Sequence, residues 1–225
     1  MTTAPAHPSA HADATVGVAV DVVPLALHEG RVHAAVVRVE HGEERGRLAF
    51  PGGRVRENES LDAAAARWLS GTLPGTRAHV EQLYTFGEPG RDAASRVVSV
   101  AYLALLARTA PLPGVLWVPC EPAPRLAYDH RAILRVALER LRAKLAYTNL
   151  AWALLDESFT LGELQSVYET VLGHALDRRN FRKRILALGL LTPLGTTRHG
   201  AHRPAQLYRF VTRRPMTVGV LAGRD

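Results

Sequence analysis

Cysteine is almost absent from this 225-residue chain: Cys120 stands alone. An intramolecular disulfide framework is therefore impossible, and a cysteine zinc cage is excluded. Long apolar runs are missing as well. The longest lie around residues 97–107, far short of the ~18 residues that span a bilayer. The first fifteen residues, MTTAPAHPSAHADAT, lack a basic stretch followed by an apolar one, so no signal peptide is expected. They read as a disordered leader over 1–15, ahead of a soluble, cytoplasmic protein without membrane contact. What the chain does have is apolar content: 47% of 225 residues suffices for a sizeable core in one large domain or two small ones.

Acidic residues are nearly missing from one region. Between Asp177 and Arg214 ten Arg or Lys face one acid, a local charge of +9, while the remainder holds 18 basic and 20 acidic residues, or −2. A mildly acidic body with a strongly basic C-terminal third is the asymmetry of a nucleic-acid-binding appendage.

The body, residues 16–147, reads as mixed α and β. Val-rich stretches at 17–27 and 32–39, broken by HEG, predict a hairpin. A short strand at 47–50 runs into Pro51-Gly52-Gly53, and Ser60 opens a helix with Leu61, Ala64, Ala65, Trp68 and Leu69 on one stripe. Strands return at 79–86 and 96–106; a proline-rich connector then leads to a helix over 129–147. The segment 148–214 changes character. A short apolar helix at 149–155 precedes the capping box Thr160-Leu161-Gly162-Glu163. Gly173 stops the helix that follows, and Asp177 caps a third, 178–188. There Phe181, Ile185 and Leu188 point inward, opposite Arg179, Asn180, Arg182 and Lys183. Strands at 190–194 and 206–211 flank the loop GTTRHGAHRP. Three helices followed by a two-stranded wing is the winged helix-turn-helix arrangement, with residues 215–225 as a tail. The fold class expected is thus α+β: an α/β sandwich, then a winged helix.

The stretch GGRVRENESLDAAAARWLSGTLPG resembles the Nudix box. Aligned from Gly53, Glu59 fills the first glutamate, Arg67 the arginine and Leu69 the aliphatic position, while Trp68, Gly71 and Thr72 stand where three later glutamates belong. Those carboxylates converge on divalent metal from one helix face, because magnesium demands hard oxygen ligands. With one glutamate left, a cleft that binds a nucleotide without turning it over is expected. Its candidate ligand-binding residues are Arg54, Glu59, Arg67, Tyr84, Phe86, Arg91 and Arg96, arginines for phosphates and aromatics for a base. Candidate DNA-binding residues are Arg178, Arg179, Asn180, Arg182 and Lys183 on the helix and Arg198, His199 and Arg203 at the wing. Arg and Asn side chains of a major-groove helix read base edges, and Lys and wing residues reach phosphates.

Together, DVVPLAL, LAFPGGRVRENESLDAAAA, EQLYTFGEPGRD, RVVSVAYLALL, LDRRNFRKRILALGLL and RPAQLYRF resemble the Nudix-related transcriptional regulators of NAD metabolism, the NrtR family. The resemblance implies a homodimeric repressor on a double-stranded DNA operator, released by ADP-ribose or a related nucleotide effector, with no cofactor or metal required. A Nudix hydrolase of ADP-ribose or a sugar nucleotide is the alternative.

Overall fold

In the computed structural model, residues 15–198 and 204–218 are described. Val-rich segments form the strands β1 (Gly17–His28) and β2 (Arg31–Arg38), paired antiparallel with Leu25 opposite Ala34. The two residues between them, Glu29 and Gly30, both take positive φ (48° and 70°), the requirement of a two-residue hairpin turn that matches strand twist. β3 (Leu48–Ala49) and β4 (Gly52–Arg54) flank the Pro51 turn. The helix α1 (Leu61–Thr72) starts where Ser60 accepts a hydrogen bond from the Ala63 amide. β5 (Ala78–Phe86), β6 (Val97–Leu106) and β7 (Val115–Pro119) complete the sheet, ordered β3-β2-β1-β6-β5 with β4 on β1 and β7 on β2. β7 arises inside the stretch expected to be a proline-rich connector. Its one proline, Pro119 at the strand end, is tolerated because an edge strand need not donate every ladder bond.

β1 runs parallel to β6 at the centre of the sheet, and both of its faces are covered. Val20, Val22 and Tyr102 pack with Ala64, Ala65 and Leu69 of α1. Val23, Leu25, Leu103 and Leu105 face α2 (His130–Tyr147) through Ile133, Leu134 and Leu141. Two-sided burial explains why the central strands read as continuous apolar runs.

A 3-10 helix, Leu150–Leu154, leads to β8 (Phe159–Thr160), α3 (Leu161–Leu172), α4 (Arg178–Ala187), β9 (Leu191–Arg198) and β10 (Ala205–Phe210). The expected caps are present. Thr160 and Glu163 form a reciprocal box, Gly173 takes φ 77°, and Asp177 accepts from the Asn180 amide. The wing sheet has three strands, ordered β8-β10-β9, instead of the two expected. The third is Phe159–Thr160, too short for any periodicity to register. Tyr168 meets Phe181 with ring centroids 5.4 Å apart, fastening α4 to α3.

The same apolar cluster runs from Val23 through α2 and the 3-10 helix to Ile185 and Phe210, so body and winged helix share a core. The segment read as the start of a tail returns to their junction. Asn149, fully buried, donates to Arg214 O (3.0 Å) and accepts from the Met216 amide (2.8 Å), and the Val218 amide donates to Tyr147 O (2.7 Å). No helix among the described residues is long and apolar enough to cross a membrane. The leader, except Thr15, and the end of the tail lie outside the described residues.

Candidate functional site

A cleft of about 570 Å³ opens where β1, the Phe50–Arg54 turn and the start of α2 meet. Two glycines let these elements close up. A Cβ on Gly52 would sit 2.2 Å from Asp21 Oδ1 and 2.5 Å from the Val20 carbonyl oxygen. Gly53, at φ 152°, would place one 2.6 Å from Cζ2 of Trp68. Behind the turn lies a buried polar network. Asp21 accepts from Ser99 Oγ (2.6 Å) and from Arg91 Nη2 (3.2 Å). Arg91 also clasps Asp129 through Nε (2.9 Å) and Nη2 (2.7 Å). The Phe50 amide donates to His130 Nδ1 (2.9 Å). Nε2 of the same ring stands 3.4 Å from Asp21 Oδ1. Burial pushes the Asp21 carboxyl up, but His130, Ser99 and Arg91 outweigh it and hold it below the usual carboxylate range.

The cleft wall carries an aromatic tier that sequence reasoning did not single out. Phe50 stacks on His130 at 5.4 Å and 14°, and Tyr128 leans on the same ring at 5.4 Å. Tyr128 is 40% exposed and held at φ 52°, a strained conformation for a bulky residue and one concentrated at binding sites. Its only sequence signal is Tyr-Asp-His at a helix start, behind prolines. Arg38 and His41 line the opposite side.

Of the seven ligand candidates, Arg54 and Arg91 line this cleft. Arg54 donates to Ser95 Oγ (2.7 Å), and Arg91 is spent on two carboxylates. Glu59 and Arg67 pair with each other at 2.6 and 2.7 Å, and Arg67 donates to Arg54 O (3.3 Å), bracing the turn from outside the cleft. The Arg67 hydrogen bonds hold the Glu59 carboxyl down to about 2. Tyr84, Phe86 and Arg96 are not brought into the cleft. A bulge between Gln82 and Tyr84 turns Tyr84 outward, 59% exposed, edge-on to Phe86, while Arg96 donates to Glu88 O (3.5 Å). Trp68 and Thr72 also line the cleft. Among the described residues no group of three or more His, Cys, Asp or Glu is placed to hold a metal ion.

The second surface is α4. Phe181 and Ile185 are buried, and Arg178, Arg179, Asn180, Arg182 and Lys183 are all exposed. Asn180 lends its amide to the Asp177 cap, so the capping role lies with Asp177. Arg198 does not project freely: it pairs with Glu163 and donates to Ser158 O (3.2 Å), tying β9 to the start of α3. His199 and Arg203 lie outside the described residues. Arg209, exposed on β10, is a cation the candidate list omitted.

Residues 151–210 match the model of the NrtR DNA-binding winged helix domain. An ADPR responsive transcriptional repressor of Acinetobacter baylyi, NtrR, is 32% identical over 201 residues, covering 85% of this chain and 80% of its own. The crystal structure of Shewanella oneidensis NrtR complexed with a 27mer DNA superposes with a TM-score of 0.76 at 32% identity, covering 86% of this chain and 93% of that one. The Nudix domain of the same Shewanella protein, complexed with ADP ribose, gives a TM-score of 0.50 at 29% identity over 56% of this chain and 89% of that domain. A Nudix-type sandwich sharing its core with a winged helix, matched over most of its length by such relatives, makes this chain a member of the NrtR family.

Proposed function

We propose that this protein is a homodimeric transcriptional repressor whose winged helix, residues 148–214, binds a double-stranded operator and whose Nudix-like body, residues 16–147, senses ADP-ribose. The observation that carries the reading is α4: an amphipathic helix with its apolar side locked against Tyr168 and a fully exposed cationic side. In the major groove Arg179, Asn180 and Arg182 face base edges, while Arg178 and Lys183 meet phosphates. Two such helices in a dimer read half-sites about one helical turn, or a multiple of it, apart.

The cleft suits the effector without a bound metal. Tyr128, exposed and backed by the buried His130 and Phe50 rings, offers stacking for a base, and Arg38 and Arg54 supply positive charge for a diphosphate. Hydrolysis is not part of the proposal. Positions 68, 71 and 72 lack carboxylates, and Glu59 is committed to Arg67. Release follows if ADP-ribose binds more tightly to the dimer geometry that mismatches the groove, since a ligand shifts an equilibrium only by its differential affinity.

The test begins with randomised duplexes enriched on the full chain, followed by gel shifts of the winning sequence with and without ADP-ribose. A pseudo-palindromic winner released by the nucleotide supports the reading. No sequence enrichment, or a shift indifferent to millimolar ADP-ribose, refutes its DNA or effector half respectively.

A further inference from the structure

One helix touches both surfaces. The first turn of α2 belongs to the cleft: Tyr128 and His130 line it, and Asp129 grips Arg91. Its eighteen residues span about 27 Å at 1.5 Å per residue, ending beside the winged helix. There Arg142 leaves the helix sideways. Its Nε donates to Val171 O (3.1 Å) in the last turn of α3, and its Nη2 to Glu121 Oε1 (2.5 Å) behind β7. The Val171 carbonyl sits at the negative end of the α3 dipole, where a guanidinium is favoured. Glu121 fixes the rest of the fork, so the side chain is aimed as well as bonded.

Beyond the apolar core that body and reader share, the other polar links between them differ in kind. Arg108–Asp156 and Arg77–Glu157 are exposed ion pairs on connecting segments, of a class worth little. The bonds of Asn149 to residues 214–216 secure the covalent linker to the strand leaving the wing. Arg142 joins helix to helix, and α3 in turn carries α4 through Tyr168 and Phe181. At the opposite end Tyr128, strained at φ 52°, is the joint at which a ligand on the cleft wall bears directly on the start of α2.

We propose that Arg142 is the positioning residue that makes the DNA reader follow the effector cleft: α2 is the rod, and the Arg142 bond to the end of α3 is its attachment. The proposal rests on the ADP-ribose-responsive repressor reading above. It predicts a residue whose loss leaves both binding events intact and removes the communication between them. Neither the cleft nor the exposed face of α4 contains Arg142, so each separate affinity is free to survive its replacement.

The experiment uses the full chain, its enriched duplex and ADP-ribose. Duplex affinity is measured by fluorescence anisotropy with and without saturating ADP-ribose, and ADP-ribose affinity by calorimetry with and without duplex. The two ratios must agree, because coupling is reciprocal, and in the parent they are expected between about 5 and 150. In Arg142→Gln each separate affinity stays within about threefold of the parent, while the coupling ratio falls to within about twofold of one. Arg142→Lys, which keeps a donor for Val171 O, restores most of it, and Glu121→Ala, which removes the acceptor at the other end of the fork, gives an intermediate loss. A parental ratio retained in Arg142→Gln overturns the proposal. So does loss of duplex binding by that variant without ADP-ribose, which marks Arg142 as a support of the reader fold alone. A ratio of one in the parent itself overturns the effector reading, and the proposal with it.

Discussion

Replacing Gly53 by Ala tests whether the cleft turn depends on the contact between backbone and indole. Two costs add. The backbone at φ 152° lies outside the range a side chain adopts without strain, a penalty of about 1–3 kcal/mol. The new Cβ stands 2.6 Å from Trp68 Cζ2, so the ring must move by most of an ångström, an overpacking cost of about 1–3 kcal/mol. The sum, about 2–6 kcal/mol, lowers Tm by at least about 4 °C in a chain of this length. Differential scanning calorimetry of Gly53→Ala, Trp68→Ala and the double variant separates the two costs. The steric part disappears once the indole is gone, so the cycle should show a favourable coupling of about 1–3 kcal/mol, beyond the roughly 0.5 kcal/mol within which independent sites add. Gly52→Ala is the contrast. Its Cβ meets the Val20 carbonyl oxygen at 2.5 Å, main chain of a paired central strand, and no side-chain truncation relieves it. Strict additivity of Gly53→Ala and Trp68→Ala, or an unchanged melt for Gly53→Ala alone, would refute this account of the turn.

Arg91→Ala takes one cationic partner from the buried Asp21, which keeps Ser99 and His130, and unclasps Asp129; losing hydrogen bonds to charged groups costs about 1.5–3 kcal/mol, and urea unfolding reads it. Weakened ADP-ribose binding with unchanged stability would make Arg91 a ligand contact instead of a clasp. The Glu59 carboxyl, lowered from 4.5 to about 2 by the Arg67 hydrogen bonds, stabilises the fold fully above pH 4.5 and loses that contribution as pH falls from 4.5 to about 2. Acid unfolding followed by tryptophan fluorescence should therefore be steeper in that window for the parent than for Glu59→Gln, and coincident profiles would contradict the pair. On α4, Arg182→Ala should cost about 1–3 kcal/mol on the preferred duplex and relax the preference at one position. Lys183→Ala should weaken all duplexes alike and reduce the salt slope by about 0.9. The reverse pattern would exchange their roles.

Local rules carried the winged helix far. Thr160, Glu163, Gly173 and Asp177 sit where capping chemistry puts them, since a cap is decided by residues within one turn of each other. The cleft was legible only in its near half. Pro51-Gly52-Gly53 announced the turn, but the residues closing over it, Tyr128 and His130, stand about eighty positions downstream and are joined to it by the Phe50 amide on His130. No periodicity encodes such a pairing. Arg91 and Arg67 show what the sequence left out on the other side. Both are arginines near a nucleotide-type motif, and their partners, Asp129 and Glu59, consume them.

The same distinction alters the meaning of the basic C-terminal third. A segment charge of +9 treats ten cations as equivalent, yet Arg198 is paired with Glu163 and Arg213 donates to Trp152 O and Leu155 O while lying over the Trp152 ring. Arg213 thus anchors the segment after β10 to the junction with the body, and Arg198 anchors β9 to α3. What remains demonstrably outward on the described elements is concentrated on α4, which packs on α3 and through it meets the Arg142 bond. A composition-level argument would distribute DNA affinity evenly along the segment. The pairing pattern instead divides the cations into those that hold the reader in shape and those that read, and only the second group should appear in the salt dependence of binding.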